Sequence, residues 1–292
     1  MTDNLRGILL MVLAMAGLAL SDTFVKLATA LMPPMQIMTI VGGGATLILG
    51  GTALAMRRPF FSREVLHPVV LLRCLAEMAA ASTVMLALAY VPISVVSAIM
   101  QSMPLMVTIG AALFFGEQVG WRRWAAIATG MAGVLMILRP GSDAFDPASL
   151  LALVSALALT IRDLTTRASP AHLPAISLAS WGFAAVVPFG LLMMLLGGDG
   201  VVPLTARSGT YAFCAILVTA GGYYALTAAM RVGQISAVAP FRYARLIFAM
   251  AIGITVFSEV IDGWTIAGSC VIAASGLYTL FRERRFASPG PA

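Results

Sequence analysis

Charge is scarce in this chain: 10% of its residues are charged, against roughly 25% in soluble globular domains, and only 12 are acidic. Histidine is scarcer still, with His67 and His172 both at the edges of apolar runs. The three cysteines, Cys74, Cys214 and Cys270, lie inside such runs without metal-type spacing. These absences exclude a His/Cys metal centre and a disulfide framework, and no metal or other cofactor is expected. A Gly-rich phosphate loop and a nucleophile–base pair are also missing, which leaves an intramembrane enzyme little to work with. Long polar stretches are absent too, so no soluble domain is available to house separate chemistry.

What is abundant is apolar. Hydrophobic residues make up 60% of the chain and the mean hydropathy is +0.97, outside the range of soluble proteins. Runs of about 20 apolar residues, the length that crosses a bilayer, give ten spans near 6–28, 34–56, 68–89, 93–115, 121–139, 148–168, 173–196, 209–230, 235–257 and 263–281. They are rich in Gly and Ala and lack sustained period-two alternation, so they read as helices and not barrel strands. The expected class is an all-α membrane protein. Eleven arginines (Arg6, Arg57, Arg58, Arg63, Arg122, Arg123, Arg167, Arg231, Arg282, Arg284 and Arg285) flank the spans on one side, against Lys26, Arg139 and Arg207 on the other. By the positive-inside rule both termini are cytoplasmic. The net charge of +6 is then a topology signal, and no nucleic-acid partner need be invoked.

The chain repeats itself. Ile93-Ser94 matches Ile235-Ser236, and Phe115-x-Glu117 matches Phe257-x-Glu259, at a shift of 142; Asp22-x-x-x-Lys26 matches Asp163-x-x-x-Arg167 at a shift of 141. Five spans, an odd number, separate the copies, so the second is inverted. The expected organisation is a first five-helix repeat over 1–140, an inverted second over 147–283 and a short basic tail over 284–292. A cleavable signal reading of the first segment is disfavoured, since it would strip Asp163 and Arg167 of their counterparts. Inverted repeats within a membrane are chiefly a transporter's plan.

Each charge at membrane depth costs about 2.5–3.5 kcal/mol on insertion scales and so needs a partner, a wet cavity or a task. Arg73 and Glu77, four apart on one helix, suit a mutual ion pair. Asp22 with Lys26, and Asp163 with Arg167, lie nearer the two surfaces as gating or structural pairs, and Arg162 lies beside Asp163. Arg242 and Arg245 share a face with no acid near them on their own helix. Gln101, Trp181, Tyr223, Tyr224 and Tyr243 reach similar depth, away from the interfaces where Trp and Tyr usually sit. The candidate substrate-binding set is therefore Glu77, Gln101, Trp181, Tyr223, Tyr224, Arg242, Tyr243 and Arg245. In it an arginine would hold a carboxylate, Glu77, Gln101 or tyrosine hydroxyls an ammonium, and the rings a flat side chain. Pro104, Pro188 and Pro240 fall inside spans and should bend them. Glu77 is the candidate proton carrier if export is proton-coupled, with facilitated export as the alternative.

The ten-span, five-plus-five inverted repeat, with Phe115-Gly116-Glu117 and Phe257-Ser258-Glu259 closing the fourth helix of each half before a Gly-spaced fifth, resembles the drug/metabolite transporter superfamily. Within it the chain is similar to the EamA-type ten-helix exporters, and most of all to exporters of aromatic amino acids. The resemblance implies a bundle around a central cavity and alternating access. It also implies export of amino acids and related metabolites across a bacterial inner membrane by a monomer whose partners are its substrate and membrane lipid. It makes Glu117 and Glu259 architectural, a role that Pro104 and Pro240 share as helix-bending residues. Alternatives are an exporter of cationic drugs or other metabolites or, in a different class, an intramembrane enzyme or structural membrane protein.

Overall fold

The computed structural model describes residues 3–58, 62–197, 200–232 and 238–286. Among these the chain is helical without a strand: α1 Asp3–Thr29, α2 Pro34–Ala55, α3 Pro68–Tyr90, α4 Ile93–Met100, α5 Met103–Phe115, α6 Trp121–Leu138, α7 Ser149–Ala168, α8 Ala175–Gly197, α9 Ala206–Val232, α10 Ala244–Phe257 and α11 Gly263–Phe286. Local chemistry sets several ends. Pro34 and Pro68 open α2 and α3 where a missing N–H costs nothing. His67 caps α3 through Nδ1, which accepts from the Val69 N–H at 3.3 Å. Nine helical segments among the described residues are long and apolar enough to cross a membrane, with 93–115 counted as one. The remaining expected span, α6, begins Trp-Arg-Arg-Trp, which lowers its apolarity at one end.

Two of the spans are not the continuous helices expected. In 93–115 the α-helix stops at Met100 and restarts at Met103, because Pro104 offers no N–H to the Met100 carbonyl and its ring would clash there. In 235–257, Ala239–Tyr243 forms a 3₁₀ turn, with Pro240 in its first positions, before α10 begins. At the repeat shift of 142 the two interruptions overlap where Gln101 falls on Tyr243, and the α-helices restart within one residue of each other, at Met103 and Ala244. Pro188, by contrast, is carried inside an unbroken α8. The Ile235-Ser236 half of the repeat match lies outside the described residues, as does the tail from 287 onward.

The chain forms two compact units, and each draws helices from both sequence repeats. Unit one comprises Met1–Leu20, Pro92–Leu150 and Gly221–Ala292; unit two comprises Ser21–Val91 and Leu151–Ala220. In unit one, α6 lies along α11 and α4 along α10. The α6–α11 approach is backbone to backbone: a Cβ on Gly133 would meet the Gly268 carbonyl oxygen at 2.8 Å, and one on Gly268 would meet that of Gly133 at 2.6 Å. A second core gathers Met11, Ala14 and Met15 of α1 against Ala225, Ala229 and Val238. In unit two, α8 packs against both α2 and α3. Its core is Val70, Cys74, Leu173, Leu178 and Trp181. The Gln36 amide exchanges two hydrogen bonds with the Val202 backbone, 2.6 and 3.0 Å, which pins the segment before α9 to the start of α2.

Candidate functional site

In unit two the membrane-depth charges form one chain. The Arg73 guanidinium, 2% exposed, donates Nη1 to the Leu178 carbonyl at 2.6 Å and Nε to the Thr166 hydroxyl at 2.9 Å, with Nη2 3.5 Å from Glu77 Oε2. The other Glu77 oxygen lies 3.5 Å from Arg162 Nη1, and Arg162 also grips Asp163 Oδ1 through Nε at 3.0 Å and Nη2 at 2.7 Å. Two cations and two anions alternate, so the buried charge sums to zero and each guanidinium has partners, the condition under which buried ions persist. The expected Arg73–Glu77 pair is present, while Asp163 is held by its neighbour Arg162. Trp181 is buried in the adjoining core against Val70 and Cys74. Glu77 and Trp181 therefore belong to the brace joining α3, α7 and α8. The Lys26 ammonium reaches the Leu88 carbonyl at 3.1 Å and also the Val91 carbonyl, capping the C-terminal end of α3 with a cation. Asp22 is half-buried on α1, and Arg167 is exposed on α7.

Unit one holds the remaining candidates around its two helix breaks. The Gln101 side chain, 9% exposed, donates Nε2 to the Arg242 carbonyl at 3.2 Å, so an amide at one break satisfies a carbonyl released by the other. Arg242 lies in the last turn of the 3₁₀ segment, and Arg245 lies in the first turn of α10; both are half-buried. Between them Tyr243 is 7% exposed and packs on Gly276 of α11, where any Cβ would overlap the phenol. Among the described residues the Tyr243 hydroxyl has no hydrogen-bond partner. Of the adjacent tyrosines on α9, Tyr223 is half-buried and Tyr224 is 76% exposed. The arrangement offers two guanidiniums beside interrupted backbone at membrane depth, the setting in which membrane carriers bind charged solutes.

Glu259 holds the start of another helix. The left-handed Ser258, φ 53°, ends α10 and turns the chain so that Glu259 Oε1 accepts from Ile93 N at 2.7 Å, while Oε2 accepts from Ser94 N at 3.2 Å and Ser94 Oγ at 2.7 Å. A carboxylate thus caps the start of α4. Gly116 takes the same left-handed conformation, φ 66°, just before Glu117. One pair lay outside the expected set: Arg139 Nη2 meets Asp262 Oδ2 at 2.6 Å, and Asp262 also caps α11 through Trp264 N and through Thr265. The signal was available, since Asp-Gly-Trp-Thr before an apolar run is a helix-start pattern.

Residues 5–139 match the EamA-like transporter family. A riboflavin transporter of Rhizobium johnstonii is 31% identical over 198 residues, 68% of this chain and 65% of that relative, so the match spans slightly less than two thirds of the relative's own length. An S-adenosylmethionine uptake transporter of Rickettsia bellii is 24% identical over 200 residues, 68% of this chain and 67% of that protein. The pseudopaline exporter CntI of Pseudomonas aeruginosa is 27% identical over 277 residues, 92% of this chain and 94% of its own length. A solved crystal structure covers 98% of this chain and 99% of its own with a TM-score of 0.66 at 18% identity, which shows the fold alone. These relatives move solutes and are not enzymes, and residues 5–139 of this multi-pass membrane protein are similar to the EamA-like transporter family.

Proposed function

We propose that the protein exports zwitterionic amino acids, including aromatic ones, by alternating access across a bacterial inner membrane, with both termini cytoplasmic. The observation that carries this reading is the paired break in unit one, where Arg242 and Arg245 flank buried Tyr243 and Gln101 bridges to the Arg242 carbonyl. A guanidinium is suited to a substrate carboxylate by paired hydrogen bonds. A half-buried Tyr223 suits an ammonium. The charge chain of unit two is internally neutral, so it adds no net attraction for a cation, which disfavours cationic drugs. The S-adenosylmethionine carried by the Rickettsia relative also bears an amino-acid head, which supports cargo of this chemistry. The proposed substrate set is Gln101, Tyr223, Arg242, Tyr243 and Arg245; Glu77 and Trp181 serve the brace.

The test is uptake by proteoliposomes of labelled phenylalanine, threonine, S-adenosylmethionine and riboflavin, with wild type, Arg242→Ala and Arg245→Ala. Saturable phenylalanine uptake that falls at least about tenfold in either variant, the loss of one charge-assisted contact of roughly 1.5–3 kcal/mol, supports the reading. Uptake of riboflavin alone, or phenylalanine uptake indifferent to both arginines, overturns it.

A further inference from the structure

At the arginine-rich end of unit one, a groove of about 510 Å³ opens between α6 and α11. Arg122 and Trp121 stand at its mouth on α6 and Tyr278 on α11, while Ala125, Ala274 and Val271 line it deeper in. The guanidinium of Arg122 sits 5.2 Å over the Trp121 ring, a cation–π contact that holds it at the rim. Trp121 is 74% and Tyr278 44% exposed, as amphipathic rings at headgroup depth are. From Trp121 to Thr129 the groove follows two turns of α6, about 12 Å at 1.5 Å per residue, close to the depth of one leaflet's hydrocarbon. Its floor is made shallow by alanines and held by the Ser275 hydroxyl, which bonds the Ala126 carbonyl across the two helices. Among the described residues, no acidic side chain lines it. In sequence, Arg123 follows Arg122, and the segment after Tyr278 carries Arg282, Arg284 and Arg285 against one acid, Glu283.

We propose that this groove seats one anionic phospholipid, its acyl chain along the alanine floor and its phosphate at Arg122. The charge at the mouth selects the occupant. A zwitterionic lipid gains nothing net from a basic rim, whereas an anionic headgroup gains from each arginine near the surface. A second copy of this chain would have to bring its own apolar face against a rim carrying the same positive charge.

Full-length protein is reconstituted into nanodiscs of phosphatidylethanolamine with phosphatidylglycerol, and retained lipid is weighed by native mass spectrometry. Wild type should hold one phosphatidylglycerol in about fivefold preference over phosphatidylethanolamine, the scale of one basic residue's attraction to an anionic lipid. Arg122→Gln should erase the preference. Ala274→Trp should fill the groove and lose the adduct, with helicity and transport retained. Arg207→Gln, an exposed arginine elsewhere on the chain, should leave the preference intact. Equal retention of the two lipids by wild type, a preference that survives Arg122→Gln, or a two-chain mass that Ala274→Trp converts to one would overturn the proposal, the last by giving the groove to a second copy.

Discussion

At the residue scale, the informative atoms are polar groups whose surroundings decide between structure and transport. The Tyr243 hydroxyl is buried without a hydrogen-bond partner among the described residues, which leaves its desolvation uncompensated by any of them. Tyr243→Phe should raise the melting temperature in detergent, by the equivalent of about 1 kcal/mol, while lowering amino-acid transport if the phenol meets substrate. A variant less stable than wild type would mean that the hydroxyl serves the fold. Gly276→Ala should do the reverse, destabilising strongly because the methyl group has no room beside the phenol. Glu259 offers a sharper case. Its carboxylate serves two backbone N–H groups and one hydroxyl at the start of α4, and Glu259→Ala leaves those donors to water or lipid. A loss of about 2 kcal/mol or more is expected, beyond an ordinary exposed cap, with Ser94→Ala costing less because it removes only the hydroxyl. Equal melting of Glu259→Ala and wild type would remove the capping account.

At the scale of elements, much was legible before the structure. Apolar runs locate every described α-helix, since the bilayer imposes length and backbone self-satisfaction on each span. Pro104 announced a disturbance in the fourth span, although spacing alone does not say that the helix would stop and restart. The Arg73–Glu77 pair was readable because four residues is one helical turn. Its continuation to Arg162 was not, because that contact joins helices 85 positions apart. Counting residues gave Trp181 and Tyr224 a height in the membrane but not their surroundings: Trp181 is buried in a core and Tyr224 is exposed, which only neighbouring helices decide. The α6–α11 pair also carries a pH signature. Burial works to raise the Asp262 carboxyl, but hydrogen bonds from Thr265 and Trp264 N and the charge of Arg139 outweigh it and hold the group below the usual carboxylate range. A depressed folded value means stabilisation that is complete above the unfolded value of about 3.9 and is lost as pH falls through the folded one. Wild type should therefore melt above Asp262→Asn at pH 7, with the gap closing on acidification below about pH 4; a gap constant with pH would assign the effect to shape alone.

At the scale of the whole molecule, an even number of crossings returns the chain to the side from which it set out. Fusions of a reporter active only in the cytoplasm should light at the C-terminus and fail at the 140–147 connection, the reverse pattern overturning the arginine-based orientation. The compact units also bear on assembly. Each takes its packing partners from both repeats: α6 waits for α11, α4 for α10, and α2 and α3 for α8. During synthesis the first five spans enter the bilayer with half of each unit missing, so their tight seams form only after the second repeat has been inserted. A chain carrying one repeat alone would have unfinished surfaces in both units. To complete them it would need a second copy threaded through the membrane in the opposite direction. Joining the two repeats in one polypeptide removes that requirement, because it fixes the supply of upright and inverted copies at one to one.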